Sequence, residues 1–122
     1  MNRQRVQSGL ERFLNEKIND YKDARTGLLV NPTSITSKFQ HSIDLLFGNR
    51  LLNLVRLFAP EHGIRADAQD MVLVDHITDN KTGLPVYSLY GNNRIPVKEQ
   101  VEDLDILIFD IQDVGSRYYT FI

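Results

Sequence analysis

Near the start of the chain, apolar residues return at helical spacing. Val6, Leu10, Phe13, Leu14, Ile18 and Tyr21 share one stripe and predict an amphipathic helix from about residue 5 to 21. The pattern then shortens. Gly27-Leu28-Leu29-Val30-Asn31 reads as a first strand, ended by Asn31-Pro32-Thr33-Ser34, because proline and hydroxyl side chains break a ladder. Ser37 is placed to cap a helix whose buried stripe is Phe39, Ile43, Leu46 and Phe47, with Gly48-Asn49 as its stop. Residues 54 to 59 form a second strand. Strand, helix and strand at this spacing predict a right-handed βαβ unit with a parallel strand pair.

Residues 61 to 82 carry many polar side chains and few apolar ones, and read as a long loop of a kind that is often functional. Leu84-Pro85-Val86-Tyr87-Ser88-Leu89-Tyr90 is a third strand, placed at an edge because Pro85 lacks an N–H. Pro96 opens a helix with Val97, Val101 and Leu104 on its apolar face. Residues 104 to 111 make the most apolar run, predicted to lie centrally and to be covered on both faces. The fold class expected from this order is α/β, with a mostly parallel sheet flanked by helices. The apolar, aromatic stretch running into Phe121-Ile122 gives the expectation that a larger protein continues beyond it.

Composition narrows the function classes. One domain fits 122 residues, and 42% hydrophobic with 25% charged residues is ordinary for a globular protein. A net charge of -2 gives no reason to expect nucleic acid or an anionic membrane as partner. The absence of cysteine excludes disulfides, thiolate metal sites and a cysteine nucleophile. Met1 to Lys22 is charged throughout and has no apolar signal core, which sets a cytoplasmic location as the default.

The candidate chemistry lies at strand ends. Ala59-Pro60-Glu61-His62-Gly63 follows the second strand directly, and a carboxylate beside an imidazole is suited to proton transfer. Three parallel strands end in Asn31, Glu61 and Asp110, which brings these side chains to one edge of the sheet, where open α/β sheets bind ligands. Asp113 and Arg117 lie on the loop after the last strand. Plainer roles exist for each: an Asx turn for Asn31, a cap or turn for Asp110, and a surface ion pair for Arg117. No Gly-x-Gly-x-x-Gly follows the first strand, which argues against a dinucleotide site, and no His-Glu-x-x-His spacing supports a metal hydrolase. No metal or other cofactor is expected.

Four blocks, in order, resemble the NamZ-type exo-β-N-acetylmuramidases. They are Gly27 to Thr33, Phe58 to Gln69, Thr82 to Gly91 and Ile108 to Thr120, and the resemblance runs from about residue 9 to the last residue. It implies a Rossmann-like N-terminal domain followed by a C-terminal domain, with the cleft between them. It also implies a bacterial glycoside hydrolase of peptidoglycan turnover and cell-wall recycling, which releases N-acetylmuramic acid from non-reducing ends of glycan fragments. Residues 1–122 then correspond to the N-terminal part of the catalytic domain, without the family's C-terminal domain. By position, Glu61 matches the family's proposed catalytic glutamate. His62, Arg65, Asn31, Asp110, Gln112, Asp113 and Arg117 match polar cleft positions.

Glycoside cleavage needs an acid for the leaving oxygen and a second group at the anomeric centre. Glu61 is the choice for the acid and Asp110 for its partner, with the acetamide of the sugar as an alternative nucleophile. His62 would orient Glu61 or touch the sugar. Arg65 or Arg117 would pair with the lactyl carboxylate, and Tyr90, Tyr118 and Tyr119 would pack on a sugar face. The competing expectation is a muropeptide- or sugar-binding remnant without turnover. Apolar surface near Phe109 and Tyr118 would expose an edge and favour self-association.

Overall fold

The computed structural model describes residues 5–60, 63–65, 77–92, 94–113 and 115. The first helix is nucleated by a reciprocal cap. Ser8 Oγ accepts from the Glu11 N–H at 3.2 Å, and Glu11 Oε2 accepts from the Ser8 N–H at 3.0 Å. From there α1 (Gly9–Arg12) passes into a π turn, Phe13–Lys17, and a 3₁₀ turn, Ile18–Tyr21. The changes of pitch break the predicted stripe. Leu10 and Ile18 are buried, whereas Val6, in front of the cap, is 88% exposed.

Five strands form one sheet in the order β3-β4-β2-β1-β5. They are β1 (Arg25–Val30), β2 (Asn53–Ala59), β3 (Ile77–Thr78), β4 (Pro85–Ser88) and β5 (Ile106–Asp110). β1 is paired in parallel on both sides, with Leu28 opposite Leu57 on β2 and Ile108 on β5. β4 is parallel to β2, and only the two-residue β3 runs antiparallel. The α/β class and the mostly parallel sheet are therefore present, and so is the parallel β1–β2 pair around α2 (Ser42–Phe47).

Alternation along the strands sorts the core onto two faces. Leu28, Val30, Leu57, Ala59 and Val86 pack with Ile18 and with Ile43 and Leu46 of α2. On the other face Phe58 meets Tyr87, with ring centroids 5.7 Å apart. The helix α3 (Lys98–Val101) leads into Leu104, which leans on this face over Gly27.

Four placements differ from the sequence pattern. Pro85 is not on an edge strand: it pairs with Thr78 of β3 and is tolerated because it is the first residue of its strand. β5 is not central. It ends the sheet as described, because apolar content does not fix lateral position, and it is not covered on both faces either: Ile106, Leu107 and Ile108 are half-buried and Phe109 is 67% exposed. The second helix is capped by His41 instead of Ser37 and starts at Ser42, since residues 35 to 41 are spent on a loop closed by an antiparallel Ile35–His41 bridge. Phe39 accordingly leaves the buried stripe for that loop. Within 61–82, a hairpin turn at Asp79–Gly83 joins β3 to β4, with Gly83 at φ 73°.

Gly27 is required by close approach. A Cβ there would lie 2.7 Å from Leu104 Cδ1, 3.0 Å from Leu107 Cδ1 and 3.1 Å from Phe58 Cε2. Gly27→Ala should therefore cost about 1–3 kcal/mol through overpacking, read as a lower urea midpoint at unchanged slope.

Candidate active site at the carboxyl edge of the sheet

In chain order the parallel strands run β1, β2, β4 and β5, and they stand in the sheet as β4-β2-β1-β5. The direction of strand addition therefore reverses at β1, with β5 on its far side. Such a switch point opens a crevice at the carboxyl ends of the strands. Asp110 is the last residue of β5 and stands opposite Val30, so Asn31 and Asp110 leave the sheet together at that crevice.

Ser34 joins the two strand ends. Its hydroxyl accepts from the Asn31 N–H at 3.1 Å and donates to the Asp110 carbonyl. Thr33 makes a second link, as its Oγ1 donates to Asn31 Oδ1 at 2.6 Å and accepts from the Gln112 N–H at 3.0 Å. With the Thr33 N–H also on Asn31 Oδ1 at 2.9 Å, Asn31 forms an Asx turn. That turn occupies only the oxygen of its amide. Among the described residues, Asn31 Nδ2, Asp110 Oδ2 and Ser42 Oγ are buried without a well-directed partner. Unsatisfied polar atoms cost stability and concentrate at functional sites. Burial pushes the Asp110 carboxyl above its ordinary range, while Ser42, His41 and Gln112 pull it partly back.

His41 fixes the geometry of the first loop, and nothing in the sequence singled it out. The Ile43 N–H donates to its Nδ1 at 3.2 Å, so Nδ1 is unprotonated and caps α2. The proton of the neutral ring then sits on Nε2, which donates to the Asn31 carbonyl at 3.1 Å. Burial lowers the pKa of the ring, the Asn31 carbonyl opposes that shift, and the Arg65 guanidinium adds to it.

Arg65 serves as a clamp. Its Nε and Nη2 bind Asp79 at 2.8 and 3.1 Å, and its Nη1 and Nη2 bind Asp44 at 3.1 and 2.8 Å. Both carboxylates raise its pKa further. Four of its five N–H donors are thus engaged inside the protein. This ties α2 to the β3–β4 turn, where Asp79 also accepts from Thr82 N–H and Oγ1–H. Gln112 and Asp113 are exposed, and Asp113 Oδ1 receives the Gly115 N–H at 2.8 Å. Tyr90 is exposed two residues past the carboxyl end of β4. Glu61, His62, Arg117, Tyr118 and Tyr119 lie outside the described residues.

Beside the edge opens a groove of about 680 Å³, lined among others by Pro32, Phe39, His41, Asp44, Arg65 and Lys81. Among the described residues no group of three or more His, Asp or Glu side chains is arranged to hold a metal ion. Among the same residues no helix is long and apolar enough to cross a membrane.

The model of the family "Exo-beta-N-acetylmuramidase NamZ, N-terminal" matches residues 26–122. The chain is 45% identical over 118 residues to the peptidoglycan beta-N-acetylmuramidase NamZ of Bacillus subtilis (strain 168). That match covers 97% of this chain and 28% of the relative. Two solved DUF1343 family proteins of Bacteroides fragilis NCTC 9343 superpose on it. One has TM-score 0.81 at 39% identity, covering 94% of this chain and 28% of that one. The other has TM-score 0.67 at 34% identity, covering 93% and 27%. The chain therefore spans a little over a quarter of the length of these relatives.

Two outcomes follow from the clamp and the cap. Asp79→Ala leaves Arg65 half-paired and should cost about 3 kcal/mol in denaturant unfolding, the size expected for breaking a buried pair. The folded state disfavours imidazolium at His41, so the unfolded state binds more protons once the pH drops below the usual histidine value of 6.5. The contribution of His41 should be complete above that pH and should shrink as pH falls toward the lower folded pKa. His41→Asn keeps a capping acceptor and should flatten this part of the stability–pH curve, whereas His41→Ala should lose about 1 kcal/mol at neutral pH.

Proposed function

The chain belongs to the exo-beta-N-acetylmuramidase NamZ N-terminal family, and on that premise we propose that it builds one wall of the catalytic cleft of a peptidoglycan glycosidase. The substrate is a glycan or muropeptide fragment, from whose non-reducing end N-acetylmuramic acid is released. Residues 1–122 are, in this reading, the N-terminal part of a Rossmann-like catalytic domain. The observation that carries it is the adjacency of the Asn31 and Asp110 strand exits at the switch point, where Val30 and Asp110 are register partners and, among the described residues, Asn31 Nδ2 and Asp110 Oδ2 are buried without a well-directed hydrogen bond.

Glu61, two residues beyond the end of β2, is the proton donor to the leaving oxygen in this proposal. Asp110 is the second group, acting on the anomeric centre directly or by holding the acetamide whose oxygen attacks it. The raised pKa of Asp110 suits a site whose charge is meant to be matched by substrate and not by water. Asn31 Nδ2 is a donor for a sugar oxygen. His62 is assigned to orienting Glu61, and Gln112, Asp113 and Tyr118 to substrate contact. Since Arg65 is held by Asp44 and Asp79, Arg117 is assigned to the lactyl carboxylate, and Arg65 to holding the loop after Glu61 in place. Phe109, exposed on the last strand, supports self-association along β5 as a further part of this proposal.

Hydrolysis of para-nitrophenyl N-acetylmuramide tests the reading, with this chain assayed beside a form extended by a family C-terminal domain. Turnover is expected from the extended form, with Glu61→Gln lowering it about 10²–10⁴-fold, the usual worth of a general acid. A folded extended form without turnover would overturn the hydrolase. If it still bound the sugar, the non-catalytic binding module would take its place.

A further inference from the structure

Phe39 stands in two unfavourable states at once. Its ring is 84% exposed, and its backbone sits at φ 60°, a region that bulky residues rarely occupy. Looseness of the loop does not account for this. The Thr36 N–H donates to the Gln40 carbonyl at 2.9 Å, and the Phe39 N–H to the Thr36 carbonyl at 2.9 Å. Buried Thr36 Oγ1 accepts from the N–H groups of Lys38 at 3.2 Å and Gln40 at 3.3 Å. The loop is tied down, and the ring is held outward at the groove beside Pro32, the residue that follows Asn31. Persistent backbone strain of this kind clusters at ligand clamps.

The chemistry of the groove narrows the ligand. It combines apolar Pro32, Ile35 and Leu45 with polar Gln40, His41 and Asp44, and its volume is in the range of small-molecule sites. Its charges cancel locally: Arg65 lies between Asp44 and Asp79, and Lys81 Nζ is 3.8 Å from Asp44. A site without net charge and with one exposed aromatic face suits a neutral pyranose, whose C–H face covers the ring while its hydroxyl and acetamide edges meet polar groups. We propose that Phe39 is the platform of a separate subsite for a neutral N-acetylhexosamine, the sugar next to the muramic residue in the glycan. This rests on the glycosidase reading above and adds to it the position of the neighbouring sugar.

The test uses the 122-residue chain with two probes, N,N′-diacetylchitobiose and N-acetylmuramic acid, followed by backbone-amide NMR titration. Chitobiose should shift amides of residues 35 to 41, and Phe39→Gly should weaken its binding about three- to tenfold. The same variant should hold or raise the melting temperature, because glycine adopts this φ freely. Phe39→Tyr should keep the binding. Chitobiose affinity equal in all three proteins, or no chitobiose binding at all, would overturn the subsite. N-acetylmuramic acid separates the two readings. Its binding at Asn31 and Asp110 leaves the glycosidase standing even if the Phe39 subsite fails. Chitobiose binding that depends on Phe39 supports the subsite whatever the result with N-acetylmuramic acid, because the glycosidase reading stands or falls on turnover by the extended form.

Discussion

One hydroxyl group holds the two halves of the candidate site in register. Ser34 accepts from the backbone of Asn31 and donates to the backbone of Asp110, so the exits of β1 and β5 cannot separate without breaking one of these bonds. The β1–β5 pairing brings the ends level, and Ser34 keeps them level past the last ladder bond. Around that point the loop from β1 to α2 makes its own restraints, through the Asx turn of Asn31 and the His41 ring bridging the Asn31 carbonyl to the start of α2. The backbone at the edge is thus well satisfied. Among the described residues, the buried atoms here without a well-directed partner are on side chains: Asn31 Nδ2, Asp110 Oδ2 and Ser42 Oγ. Rigid backbone with unspent side-chain hydrogen bonds is the arrangement expected of a preorganised polar site.

A second restraint acts on the opposite flank. Arg65 gathers Asp44 from α2 and Asp79 from the β3–β4 turn, and so fixes the segment that follows Gly63 relative to the first helix after β1. The guanidinium is only 12% exposed, and Asp79 only 3%. A buried pair of this kind is weak evidence for added stability and better evidence for a specified geometry. Here the geometry specified is the spacing between two loops that border the groove.

Much of this was legible in the residues. Leu28 to Val30 and residues 54 to 59 are apolar runs of strand length, and the intervening helical stripe required a parallel pair. Parallel pairing alone then sends Asn31 and Asp110 to the same edge. What escaped was set by contacts distant in sequence or by unusual local chemistry. Histidine is an uncommon helix cap, so His41 gave no start signal, and Ser37 took its place in the pattern. Phe39 fits a helical period and yet sits in a left-handed turn, because Thr36 and the Ile35–His41 bridge close a loop there. The partners of Arg65 lie 21 and 14 residues away, beyond any spacing rule. The lateral place of β5 was hidden because its composition is that of an inner strand.

The two edges of the sheet are unlike. On one side the ladder closes with β3, two residues long. A very short strand blunts an edge against further pairing. On the other side β5 presents five residues and the exposed ring of Phe109. Among the described residues the β5 edge is therefore the longer and less protected of the two, and the strand that forms it ends in Asp110. The open edge of the sheet and the buried carboxylate of the candidate site are two properties of one strand.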